Sequence, residues 1–153
     1  MKPYEAISAL AGSGKTYQLT SRFIGLLSLD AKPEEILAIT FTRKAAGEIF
    51  DHIVQRLAAA CLREKDRKEL EASLRAFHGN DRFQLPPDAP ARWLQTVLNA
   101  MPRLHISTID SLFVNIVQAF ALELGLPPRQ EILQGGTFAP RALERAARSA
   151  GAQ

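Results

Sequence analysis

Two hydrophobic patterns alternate along this chain: short unbroken apolar runs, and longer stretches in which apolar residues recur every three or four positions. Residues 4–10, YEAISAL, form the first run, which ends at a Gly-Ser-Gly turn. From 15 to 28 the spacing changes. Leu19, Phe23, Leu26 and Leu27 recur at helical intervals, predicting one helix with a single buried face. AKPEE interrupts the pattern, and ILAITF (36–41) is then a continuous β-rich run of the kind that fills a fully buried parallel strand. Thr42 is placed to cap a second helix, whose stripe is Ala46, Phe50, Ile53 and Leu57. HISTI (105–109) is the third strand candidate, followed by a helix over SLFVNIVQAFALEL. Gly125 stands where that helix should stop, and Pro127 and Pro128 prevent its continuation. Strands alternating with helices at this spacing predict an α/β fold on a parallel sheet with right-handed crossovers.

Between the second and third strands lies a helical insertion, about residues 62–103. Its first part, LREKDRKELEASLR (62–75), carries five basic and four acidic side chains and reads as a solvated helix face. FHGNDRFQLPPDAPAR (77–92) reads as a Gly/Pro-rich loop, and WLQTVLNAM as one more short helix. The tail, 138–153, looks helical, with Arg141, Arg145 and Arg148 on one solvent-facing side.

Composition narrows the class. The 153 residues fit one domain, and 46% hydrophobic with 23% charged residues is ordinary for a globular protein. A net charge of +3, with acidic and basic residues interspersed, tolerates a polyanionic partner without demanding one. Cys61 is the only cysteine, which excludes an internal disulfide and points to a reducing compartment. No apolar run approaches the roughly 18–20 residues of a membrane span. The opening MKPYEAISAL carries Glu5 and no cleavage pattern, so a cytoplasmic protein is expected. His52, His78 and His105 show no metal-ligand spacing with Cys61.

The first turn carries chemistry. Ala9, Leu10, Ala11, Gly12, Ser13, Gly14, Lys15 and Thr16 have the Walker A spacing in its alanine-led form, between a strand and a helix. Gly12 and Gly14 permit a backbone that turns successive N–H groups inward around a phosphate. The helix that starts near Lys15 directs its partial positive end at the same anion. Lys15 would reach the β- and γ-phosphates of a nucleotide, and the Thr16 hydroxyl would ligate Mg²⁺. A nucleoside triphosphate with Mg²⁺ is therefore the expected ligand pair.

The second strand ends in AITFTRKAAGEIF (38–50), with an aromatic, two threonines and two cations where α/β sheets bind ligands. Two readings stand side by side. Phe41 is a core residue with Arg43 and Lys44 as surface charges, or Phe41 stacks on a base while Thr42 and Lys44 hold phosphates. Asp110 is also ambiguous. It could end a Walker B strand, yet Ser107 and Thr108 stand where such strands are apolar and no glutamate follows it.

SALAGSGKTYQLTSRFIGLL, ITFTRKAAGEIF and HISTIDSLF resemble, in order, motifs I, Ia and Ib of the UvrD/RecB-like superfamily 1 DNA helicases. STIDSLF with AFALELGL is most similar to the RecB/AddA-type exodeoxyribonuclease V branch. The resemblance covers about residues 4–126. It implies a P-loop NTPase (RecA-like) parallel sheet, here an incomplete first motor domain through residue 126, with 127–153 opening a truncated helical subdomain. It also implies ATP and Mg²⁺ at residues 9–16, and single-stranded DNA on Phe41, Thr42 and Lys44 (motif Ia) and on Thr108 and Ser111 (motif Ib). Arg43 stands where many members have asparagine, and Asp110 where many have histidine. The family's Walker B, coupling motifs and arginine finger would lie further along, as would any nuclease domain; a partner protein with nuclease or helicase activity is a further implication. A small P-loop kinase with 62–92 as its lid, and a binding-only remnant without turnover, are the other classes that the residues permit.

Overall fold

The computed structural model describes residues 14–123 and 125. The expected strand at 4–10, loop residues Ala9, Leu10, Ala11, Gly12 and Ser13, and the expected tail helix lie outside the described residues. The chain divides into two units, Met1–Ile109 and Asp110–Gln153.

In the first unit, helix α1 (Lys15–Leu27) is followed by a 3-10 turn at Pro33–Glu35 and strand β1 (Leu37–Thr40). Helices α2 (Arg43–Leu62), α3 (Glu64–His78) and α4 (Ala89–Ala100) come next, then a 3-10 turn at Met101–Arg103 and strand β2 (His105–Thr108). The strands pair in parallel, with Leu37 opposite His105 and Thr40 opposite Thr108. Parallel neighbours cannot be joined by a hairpin. The three helices between them supply the crossover.

Strand β1 departs from the expectation of burial on both faces. Leu37 is 52% and Ile39 40% exposed, while Ala38 and Thr40 are half-buried. Helix α2 packs on both strands. The residues on the other side, Leu37 and Ile39, meet no comparable cover among the described residues. The two-residue period of a strand turns one-sided cover into this alternation.

The core joins all four helices: Phe23, Ile24 and Leu27 from α1, Ile49, Ile53 and Leu57 from α2, Leu70 and Leu74 from α3, and Ala89 and Val97 from α4. The α1 and α2 stripes are each shifted slightly from the expected ones. Leu19 is exposed and Ile24 fully buried, and Ile49 takes the place given to Phe50, which is half-buried at the core's edge. Stripes spaced 3.6 residues apart leave a flanking position at the mercy of the neighbouring helix.

Gly25 shows how closely α1 and α3 approach. A Cβ there would sit 2.6 Å from Cγ of Phe77, inside the ring's van der Waals surface. Gly47, exposed in α2, has nothing within 4 Å of its would-be Cβ. The two helix glycines should therefore respond oppositely to alanine. Gly47→Ala is expected to stabilise the protein by about 0.5–1 kcal/mol, the usual helix preference. Gly25→Ala gains the same preference but overpacks against Phe77, which typically costs about 1–3 kcal/mol. Urea unfolding midpoints should move in opposite directions, and a stabilised Gly25→Ala would contradict the packing described.

The charged face of α3 is only partly solvated, contrary to the sequence reading. Arg75 Nε donates to the Phe83 carbonyl at 2.8 Å, and its Nη2 pairs with Glu71. Glu71 Oε2 accepts from the Leu85 N–H at 3.0 Å, and Arg67 Nη2 donates to the Leu85 carbonyl at 3.0 Å. These side chains serve the backbone of the loop that brings Leu85 into the core. Gly79 ends α3 in the left-handed conformation (φ 62°), and the Asn80 N–H reaches back to the Arg75 carbonyl at 3.1 Å. The helix thus runs to His78 rather than 75. His78 Nε2 lies 2.9 Å from Ser28 Oγ, whose own proton goes to the Gly25 carbonyl.

In the second unit, α5 (Ile109–Ala119) begins at the division between the units, and Gly125 has a φ of 62°. The helix ends at Ala119, earlier than the apolar pattern through Leu124 suggests.

Candidate functional site

Helix α1 starts at Gly14, whose φ of 81° lies in the left-handed region that glycine occupies without strain. Among the described residues no side chain caps this end, and the first turn holds no acidic residue. Lys15 is exposed and Thr16 half-buried in that turn. A helix N-terminus with its first-turn N–H groups, a cation and a hydroxyl is chemically fitted to an oxyanion. The donor set suits a nucleotide phosphate with a hard, oxygen-seeking cation such as Mg²⁺. Residues 9–13 of the same motif lie outside the described residues.

The second group stands at the carboxyl end of the parallel pair. Because Thr40 and Thr108 are in register as the last residues of their strands, Phe41 and Thr42 leave the sheet beside Thr108. Phe41 is 87% exposed. That overturns the core reading of this residue. Strand β1 ends at Thr40, so the last position of the apolar run has already left the core. Thr42 is the N-cap of α2, its Oγ1 accepting from the Ala45 N–H at 3.1 Å. As an acceptor there, the hydroxyl keeps its own proton for a further partner. Lys44, in the first turn of α2, is exposed, with Nζ 3.9 Å from Glu48. Thr108, the last residue of β2, is buried. Ser111 and Asp110 lie in the first turn of α5 and belong to the second unit.

A third cluster carries no sequence signature. Arg56 of α2 lies with its guanidinium carbon 4.2 Å from the centre of the Tyr17 ring, and Nη1 donates to Ser21 Oγ at 2.7 Å. Burial lowers the Arg56 pKa from its ordinary value, while Tyr17 and Glu69 act in the opposite direction. A guanidinium remains charged under such a shift. The only hint available beforehand is that Arg56 falls on the flank of the Ile49–Ile53–Ala60 stripe.

Residues 3–147 match the UvrD/REP helicase N-terminal domain. The chain belongs to that family. Among curated proteins it is similar to an ATP-dependent helicase/nuclease subunit of Lactobacillus helveticus, 30% identical over 142 residues that make up 93% of this chain. The proteins of the same name from Lactobacillus gasseri and Streptococcus sanguinis are each 29% identical, over 93% and 86% of the chain. The chain spans about a tenth of the length of these relatives. A mixed α/β structure with a small parallel sheet is consistent with a helicase N-terminal domain. Among the described residues no helix is long and apolar enough to cross a membrane.

The kinase reading loses ground on geometry as well. Two arginines of its supposed lid, Arg67 and Arg75, are committed to the carbonyls of Leu85 and Phe83.

Thr42 carries a stability role beside any role in binding. Thr42→Ala is expected to cost about 1 kcal/mol by uncapping α2, whereas Thr42→Ser retains the acceptor and should cost only a few tenths. Thermal melting of the two variants checks this, and equal melting temperatures would show that the cap adds nothing.

Proposed function

We propose that this chain is the leading part of the first motor domain of a longer ATP-dependent DNA helicase, built on a P-loop, RecA-like sheet. Residues 1–126 form that part of the motor, and 127–153 open a helical subdomain. In this reading residues 9–16 enclose the ATP phosphates. Lys15 would direct its ammonium at the β- and γ-phosphates, the first-turn N–H groups of α1 would donate to the same anion, and the Thr16 hydroxyl would hold Mg²⁺. A Mg²⁺ held there would supply positive charge that offsets the negative charge developing on the phosphates.

Single-stranded DNA is the second ligand. The observation that carries this is the bare Phe41 ring at the carboxyl end of β1, in a chain of the UvrD/REP family. An exposed aromatic at that sheet end offers a face on which any base can stack, a sequence-tolerant contact. The Thr42 proton and the Lys44 ammonium would take backbone phosphates at this end of the first unit, where Thr108 also stands; Ser111, in the second unit, is proposed separately as a DNA contact. Lys44 would exchange Glu48 for a phosphate. Nucleotide-driven movement of the whole motor would then step the protein along the strand. The relatives' name, a helicase/nuclease subunit, supports a helicase that works with a nuclease function and a partner subunit; DNA break repair is the process such a pairing would serve.

The test is strand displacement by the full-length protein on a duplex with a single-stranded tail. Displacement that requires ATP supports the proposal. Tight nucleotide binding with no displacement and no turnover, on tails of either polarity, would instead support a binding-only protein.

A further inference from the structure

We propose that Arg56 is a positioning residue, one that sets the direction in which the first turn of α1 presents Lys15 and Thr16. The proposal rests on the nucleotide reading above. Apolar packing secures the later part of α1, through Phe23, Ile24 and Leu27, but not its beginning: Tyr17, Gln18 and Leu19 are all exposed. Among the described residues, what ties the beginning down is polar. Thr20 Oγ1 donates to the Thr16 carbonyl at 2.7 Å, and Ser21 Oγ donates to the Tyr17 carbonyl at 2.8 Å, both within the helix. Arg56 reaches the same turn from outside it. Its Nη1 donates to Ser21 Oγ at 2.7 Å and lies 3.4 Å from the Tyr17 carbonyl, and its guanidinium covers the Tyr17 ring. Tyr17 in turn points its hydroxyl at Glu69 of α3, 3.4 Å away.

The polarity of this chain of bonds is consistent throughout. Ser21 gives its one proton to the Tyr17 carbonyl, so the Ser21 oxygen can only accept from Arg56. The carbonyl that receives both is two residues from Lys15. Arg56 is itself rigidly based, because Ile53 and Leu57 on either side of it in α2 are fully buried. A rigid base, a planar donor and a stacked ring fix an orientation better than a flexible ammonium could.

Stability alone accounts poorly for this arginine. Its Nη2 is buried without a hydrogen-bond partner among the described residues, and burial works against its charge. An unbranched apolar side chain would fill the same place without that penalty. A group retained at such a cost in a half-satisfied state is expected where geometry matters more than stability.

The test uses the full-length protein, with Mg²⁺ and the non-hydrolysable β,γ-imido analogue of ATP as the titrant, alongside thermal melting. Arg56→Met keeps the stem and removes the guanidinium. It should melt close to the parent and bind the analogue about tenfold more weakly. Ser21→Ala should lose less, and the Arg56→Met/Ser21→Ala pair no more than Arg56→Met alone, because both act through one bond. Arg56→Lys should recover part of the lost affinity. Unchanged affinity in Arg56→Met, with affinity lost in Lys15→Ala, overturns the positioning role and leaves the nucleotide site standing. Unchanged affinity in Lys15→Ala overturns the nucleotide site itself. If Arg56→Met does not fold, Ser21→Ala decides: unchanged affinity there overturns the proposal.

Discussion

Lys15→Ala in the full-length protein is expected to reduce kcat/KM for ATP by roughly 100-fold or more, in line with the loss of one preorganised group from a site of developing charge. Its melting temperature should barely move. Lys15 is an exposed side chain in the first turn of α1, and surface substitutions of that kind usually change stability by less than about 0.5 kcal/mol. The two readouts together separate a chemical role from a structural one. A helix N-terminus with Gly14 in the left-handed region and no acidic residue in its first turn already favours an anion, so some nucleotide affinity should survive the substitution. Thr16→Ala should behave differently, weakening Mg²⁺-dependent turnover more than binding. Steady-state hydrolysis and calorimetric titration check both variants. Equal nucleotide affinity and equal turnover in Lys15→Ala would rule out residues 9–16 as the phosphate site.

The second large effect concerns Phe41. A buried phenylalanine truncated to alanine costs about 3–5 kcal/mol of stability. At 87% exposure Phe41 has almost no such contribution to lose, so Phe41→Ala should melt with the parent protein. Its binding of single-stranded DNA should instead weaken by about 1–3 kcal/mol, with little dependence on base sequence. Lys44→Ala should separate from it in salt titrations, flattening the dependence of affinity on salt by nearly one ion for the lost phosphate contact. Thermal melting checks the first, and fluorescence anisotropy with labelled oligonucleotides of different sequence, at several salt concentrations, measures the affinity, its sequence dependence and its salt dependence. A Phe41→Ala protein that binds DNA as the parent does would end the stacking proposal.

Helices α1 and α2 were legible because a 3.6-residue apolar period survives even when the stripe shifts by one position. The exchange of Phe50 for Ile49, or of Leu19 for Thr20, is decided by the neighbouring helix and not by the period. The parallel pairing of β1 with β2 was legible from the long helical stretch between two apolar runs. Where β1 ends was not. ILAITF is uniformly β-prone through Phe41, and nothing in that run marks Thr40 as the last paired residue. Whether Phe41 is core or surface turned on that one position. Charge patterning misled at α3, since Glu71 and Arg75 look like a surface pair until their backbone partners at Leu85 and Phe83 are known. Arg56 was hidden for the same reason. Its partners, Tyr17 and Ser21, are 39 and 35 residues away along the chain.

Gly12, Gly14, Lys15 and Thr16, by contrast, could be named as candidates from spacing alone, because the proposed phosphate site draws on one turn and needs no distant residue.

A DNA-driven motor is tested most directly by phosphate release from ATP by the full-length protein, with and without single-stranded DNA. Release should be slow alone and rise markedly with DNA, and the rise should be lost in Phe41→Ala at limiting DNA. Release at the same rate whether or not DNA is present, or transfer of phosphate to a small acceptor in place of water, would contradict a motor of this kind.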